Sequence, residues 1–149
     1  MINNDIIRSI RYILNVGEPK LVEIAALGGY ISTRDEFENY LRREDDPGYQ
    51  LMPDKVMSQF LNGLVIFKRG SDSTRPPAPI ENRITNNIVC KKIRVAFELK
   101  DTDIIRTVAR GGFSVSKTEI GAFFRTPGHR NYRECGDQFL RYFLKGLTP

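Results

Sequence analysis

The chain has no tryptophan, a single histidine (His129) and two cysteines (Cys90 and Cys135) among its 149 residues. A structural zinc site ordinarily takes four Cys or His ligands, more than this sequence holds, so no metal is expected. Both cysteines stand in apolar-patterned segments and read as small hydrophobes rather than as a disulfide. Long apolar runs are missing too, and no stretch approaches the roughly 20 residues needed to cross a bilayer. Met1-Ile2-Asn3-Asn4-Asp5 lacks the basic start and apolar centre of a signal peptide, so a cytoplasmic location is expected. Alternation of apolar and polar residues is nearly absent, which argues against strands. No Gly-x-Gly-x-x-Gly or Gly-Lys-Ser/Thr pattern follows the paired glycines, so neither a phosphate-cradling loop nor a cofactor motif finds support.

What the sequence does contain is itself, written twice. Gly28 to Leu64 recurs without a gap as Gly111 to Leu147, and the match extends upstream to Asn4 and Asn87. It pairs Ile10 with Ile93, Arg11 with Arg94, Gly28-Gly29 with Gly111-Gly112, Glu36 with Glu119, Arg42 with Arg125, Tyr49 with Tyr132 and Asp54 with Asp137. It closes on Phe60-Leu61-x-Gly63-Leu64 against Phe143-Leu144-x-Gly146-Leu147.

Each copy reads as four helices. Asn4-Asp5 offers a cap before Ile6, Ile7, Ile10, Ile13 and Leu14, which form one helical stripe. Glu18-Pro19, matched by Asp101-Thr102, starts a second helix through Leu21, Val22, Ile24 and Ala25, and the paired glycines suit a left-handed stop. Thr33-Arg34-Asp35-Glu36 and Ser116-Lys117-Thr118-Glu119 are capping boxes. The helices they open carry Phe37, Tyr40 and Leu41 in the first copy, and Ile120, Phe123 and Phe124 in the second. A fourth helix begins near Asp54 or Asp137, with Val56, Phe60, Leu61, Leu64 and Phe67, or Phe139, Leu140, Phe143, Leu144 and Leu147, as its inner face. Residues 70–86 are polar and proline-rich, a linker between a repeat at 1–69 and one at 87–149. The expected fold is all-α, with about eight helices in two homologous four-helix repeats packed with pseudo-twofold symmetry. Two tethered but separate bundles form the competing arrangement.

The second copy holds the whole excess behind the net charge of +5: residues 87–149 carry twelve basic and six acidic side chains, against nine and ten in residues 1–70. An anionic partner, RNA or DNA, is the physical candidate. Arg125, His129, Arg130 and Arg133 surround Tyr132 on one loop, and Arg141 and Lys145 follow on the next helix. Cations could neutralise phosphates while the tyrosine offers a stacking face. A helix-turn-helix over Asp103 to Arg110, Gly111 to Val115 and Ser116 to Arg125 would add Lys117 and Arg125. Against these stand two structural readings: the tyrosines anchor both loops to their cores, and the acidic Glu44-Asp45-Asp46 loop pairs with the basic one. Catalysis finds less support, because Cys135 takes the place of Met52, so burial is its simpler account, and no convincing general base accompanies the arginines. The reading is therefore a non-catalytic binding module, with a protein-interaction or regulatory adaptor as the alternative. A small enzyme holding a phosphorylated metabolite through the arginines around His129 is the lesser one.

The sequence also resembles the YehS-like family of small bacterial proteins, duplicated domains without an assigned function. The likeness is carried by residues 4–14, Phe60-Leu61-Asn62-Gly63-Leu64, Asn86-Asn87-Ile88-Val89 and, most fully, residues 133–144 from Arg133 to Leu144. It implies a duplicated fold and brings no catalytic residues.

Overall fold

A computed structural model describes every residue from Met1 to Pro149 and contains eight α-helices and no strand. They are α1 (Asn3–Leu14), α2 (Glu18–Leu27), α3 (Arg34–Leu41), α4 (Asp54–Arg69), α5 (Asn86–Ala96), α6 (Asp101–Gly111), α7 (Lys117–Phe123) and α8 (Asp137–Leu147). Each helix of the second set starts 83 positions after its counterpart, so the duplication in sequence is a duplication in structure. The chain divides into two compact units, Met1–Ile84 and Thr85–Pro149. Within each, the second and fourth helices form the main packed pair, α2 with α4 and α6 with α8.

Glycines set that packing. A Cβ on Gly63 would lie 1.9 Å from the Ile24 carbonyl oxygen, and one on Gly28 would lie 1.8 Å from that of Gln59. In the second repeat, a Cβ on Gly146 would meet the Thr107 carbonyl at 1.8 Å, and one on Gly111 the Tyr142 carbonyl at 2.2 Å. The helices touch backbone to backbone at these points, which only a residue without a side chain allows. The left-handed stop falls to the second glycine of each pair, Gly29 (φ +91°) and Gly112 (φ +108°). The first glycine is a contact residue.

Around these pairs the apolar stripes close. Ile6, Ile7, Ile10, Leu21, Ile24, Phe37, Phe60, Leu61 and Leu64 are buried in the first unit, and Val89, Ile93, Ile104, Val108, Ile120, Leu140, Phe143 and Leu144 in the second. Burying one such side chain contributes about 1.5–3 kcal/mol. Phe67 departs from the expected inner face: it lies in the last turn of α4 and is 38% exposed, with the Lys20 ammonium 5.6 Å from its ring. Cys90 and Cys135 are buried free thiols with sulfurs 3.8 Å apart, and burial pushes the Cys90 thiol well above its ordinary range.

One polar group is buried in the same place twice. Asn4 does not cap α1, because Ile2 holds that position; its side chain, 1% exposed, turns inward. Its Nδ2 donates to the carbonyls of Tyr40 (2.9 Å) and Gln50 (2.7 Å), and its Oδ1 accepts from the Met52 amide (2.9 Å). Asn87 repeats this with the Phe123 carbonyl (3.0 Å), the Arg133 carbonyl (2.8 Å) and the Cys135 amide (2.9 Å). Asn3 and Asn86 add a bond each to the Met52 and Cys135 carbonyls and to Asp54 and Asp137, the first residues of α4 and α8. Each Asn-Asn pair thus ties both ends of the connection between the third and fourth helices to the start of the first.

Two stability predictions follow from these contacts. Gly146→Ala should destabilise by at least the ~1–3 kcal/mol typical of overpacking, because backbone must move. Gly121→Ala, inside α7 with nothing within 4 Å of the added Cβ, should stabilise by about 0.5–1 kcal/mol. Urea unfolding with these opposite signs checks the contact; equal effects would refute it. Asn4→Asp should cost at least as much as Asn4→Ala, since a carboxylate would face two carbonyls it cannot donate to. Thermal melts in which the Asp variant matches wild type would rule the clamp out.

Candidate functional site

The loop from α7 to α8 is built on the same frame as the loop from α3 to α4. Arg133 N–H donates to the Ala122 carbonyl (3.1 Å) as Gln50 N–H does to that of Asn39 (3.2 Å), and Tyr132 N–H reaches the His129 carbonyl (2.9 Å) as Tyr49 N–H reaches that of Asp46 (3.0 Å). In the first loop the Asp46 Oδ1 accepts from Gly48 N–H (2.9 Å); in the second, His129 Nδ1 accepts from Asn131 N–H (3.0 Å). His129 therefore keeps the turn that Asp46 makes and drops its negative charge.

That exchange changes the electrostatics of the loop. Arg42 pairs with Asp46 (3.5 Å) and Arg43 with Asp45 (3.5 Å), so the first loop neutralises its own arginines. Arg125 occupies the position of Arg42 with His129 in place of its carboxylate, and Thr126, Pro127 and Gly128 replace Arg43, Glu44 and Asp45. Arg125, Arg130 and Arg133 are exposed and form no ion pair within their own repeat. Tyr132 is half-buried beside them, and burial, followed by the Glu134 charge, raises its hydroxyl above the ordinary tyrosine value.

The structure distributes the eight residues singled out in the sequence over three places. Arg125, His129, Arg130, Tyr132 and Arg133 share the loop. Arg141 and Lys145 are exposed on α8, one turn apart and opposite Phe139 and Phe143. Lys117 opens α7, at the opposite end of that helix from the loop that carries Arg125. The helix that the helix-turn-helix reading ran to Arg125 ends at Phe123, so Arg125 lies beyond it on the loop. A cleft of about 270 Å³ belongs to the first repeat, between Arg8, Leu41, Glu44 and Tyr49, and not to the surroundings of His129. No group of three or more His, Cys, Asp or Glu side chains could hold a metal ion.

The start of the third helix also diverges for a physical reason. Ser116 and Glu119 form a complete capping box, with bonds of 3.1 Å in each direction. In the first repeat Thr33 still accepts from Glu36 N–H (3.2 Å), but the Glu36 carboxylate accepts instead from the hydroxyls of Tyr30 and Tyr40, the latter at 2.7 Å. Phe113 and Phe123 stand at the matching positions without hydroxyls, which releases Glu119 to return to its cap. The bond to Glu36 raises the pKa of Tyr30, and burial, then the same bond, raises that of Tyr40. A raised pKa means that the native state holds its proton after the unfolded chain has lost it. Stability is thus intact below the unfolded tyrosine value of about 10 and falls as pH climbs from there toward the raised native values. Phenolate absorbance should show these two residues ionising above the ordinary tyrosine value of about 10, and Tyr30→Phe with Tyr40→Phe should remove their share of the late phase; a titration unchanged by the substitutions would contradict this.

Comparison with known proteins agrees with the duplicated architecture. Residues 3–70 and 86–149 each match the family described as protein of unknown function (DUF1456). The chain is 52% identical over 148 residues to the uncharacterized protein YehS of Escherichia coli (strain K12), covering 99% of this chain and 95% of that protein. No solved structure matches. Two matched segments, each coinciding with one four-helix repeat, make this chain a member of the DUF1456 family.

Proposed function

We propose that the protein is a non-catalytic cytoplasmic binding module that holds RNA or DNA through the α7–α8 loop of its second repeat. The observation that carries this reading is the replacement of Asp46 by His129 on an unchanged turn. It leaves Arg125 without the carboxylate that neutralises Arg42, beside two further exposed arginines. Three exposed guanidinium groups on the same loop as a half-exposed ring suit a phosphate chain with an unstacked base. The loop is also held in shape before any ligand arrives, since Asn87 fixes the Arg133 carbonyl and little order need be imposed on binding.

A protein-interaction adaptor is the second reading, favoured by the exposure of Ile31 (83%) and Leu51 (65%) on the first repeat. Retention of a specific protein after nuclease treatment would support it.

Titration of labelled single-stranded RNA and DNA at rising salt distinguishes the two. Three phosphate contacts predict a slope of log affinity against log salt near −2 for a single strand, by the roughly −0.7 per contact of counterion release. Arg130→Glu with Arg133→Glu should abolish binding, and His129→Asp, which restores the missing carboxylate, should weaken it. Absence of binding at low salt would end the proposal.

A further inference from the structure

Within the first repeat, part of the inter-repeat segment is strapped along α4. Asn62 Nδ2 donates to the Pro79 carbonyl (3.2 Å), Ser58 Oγ accepts from Glu81 N–H (2.7 Å), and Asp54 Oδ2 accepts from Ile84 N–H (3.0 Å). Asp54, Ser58 and Asn62 are spaced by four, so they form one line along the helix, and the strap runs antiparallel to it. Over the first step the lengths match: four residues of helix rise about 6 Å and the two residues from Pro79 to Glu81 span about 6.6 Å when extended, while three residues separate Glu81 from Ile84. Ser58 and Asn62 are buried under this segment, 2% and 7% exposed.

The same line exists on α8. Its positions are Asp137, Arg141 and Lys145, the counterparts of Asp54, Ser58 and Asn62. Asp137 keeps the role of Asp54 at the helix start, accepting from Asn86 Nδ2 at 2.8 Å. Arg141 and Lys145 are exposed where Ser58 and Asn62 are covered. Lys145 also lies 6.0 Å from the Tyr142 ring, which stacks on Phe113 with centroids 5.4 Å apart. The line that takes a neutral peptide backbone on α4 thus carries one carboxylate and two cations on α8, with Arg141 one turn from Asp137 and Lys145 one turn further on.

We infer that the Arg141–Lys145 face of α8 is a docking site for an extended peptide segment of a partner protein with carboxylates at alternate positions. Residues i and i+2 of an extended chain point the same way about 6.6 Å apart, matching the helical rise of about 6 Å between Arg141 and Lys145. Longer side chains at these positions meet the side chains of the ligand where Ser58 and Asn62 meet backbone. The occupied α4 face shows that an extended segment fits this line, and charge complementarity selects an acid-x-acid ligand. A nucleic-acid strand could use the same cations, but nothing on the α4 counterpart resembles one.

The probe is a labelled decapeptide with the sequence of residues 76–85 carrying Pro79→Glu, which places acids at 79 and 81, the strap residues bonded to Asn62 and Ser58. Fluorescence polarisation with the full chain should show binding that weakens about tenfold in Arg141→Glu with Lys145→Glu, as two exposed ion pairs imply. A similar loss is expected when the acid at 79 is moved to 80. Arg130→Glu with Arg133→Glu, which tests the loop separately, should leave peptide binding unchanged. Helical circular dichroism of the α8 variant should match wild type, because both side chains are exposed. Absence of binding at low salt, indifference to the acid spacing, or loss only in the loop variant would each overturn the inference. So would α8 charges that hold an oligonucleotide and no peptide.

Discussion

Each repeat depends on a buried asparagine amide that completes the hydrogen bonding of a long connection. The segments 42–53 and 124–136 have no regular structure, and their carbonyl and amide groups near the core lack helix partners. A buried peptide group without a partner costs about 1–3 kcal/mol, so a connection of this kind would otherwise lift away from the core. Asn4 and Asn87 supply two donors and one acceptor each, across 36 to 48 positions of sequence. The order they impose reaches the surface. The Arg133 carbonyl is a ligand of Asn87, so the exposed arginine loop hangs from a buried polar clamp.

Duplication lets the chain act as its own comparison. Where one repeat differs from the other in the core, the change is compensated locally: the hydroxyls of Tyr30 and Tyr40 bind Glu36, and the hydroxyl-free Phe113 and Phe123 leave Glu119 to its cap. On the surface no such compensation operates. The turn around Asp46 survives as the turn around His129, and the lost carboxylate is not replaced within the repeat. Net charge follows from changes of this kind, in which backbone geometry stays constant and the side chains it displays change sign. Family membership leaves the function of this surface open, and the geometry of the loop and of α8 is what bears on it.

The glycines add rigidity of a different kind. Backbone contact between α2 and α4, and between α6 and α8, holds each pair close enough that a single methyl would force them apart. In both repeats the fourth helix therefore presents its outer line from a fixed base, covered by residues 79–84 on α4 and displaying Arg141 and Lys145 on α8.

Local pattern was enough to determine much of this protein. Apolar spacing, capping boxes and the gapless repeat specify the eight helices and most of their inner faces, because a helix bonds residues three and four apart and those intervals are written directly in the chain. The sequence also marked the loop arginines, through charge alone. Only tertiary structure decided the roles of residues whose partners are remote. Asn4 read as a cap became a buried clamp, Gly28 and Gly111 read as stops became helix contacts, and Phe67 read as core lies in the open last turn of α4. Ser58 and Asn62 looked like ordinary polar positions until the strap was placed on them. A side chain that bonds 17 to 51 positions away leaves no periodic trace, and neither does the place where two backbones touch.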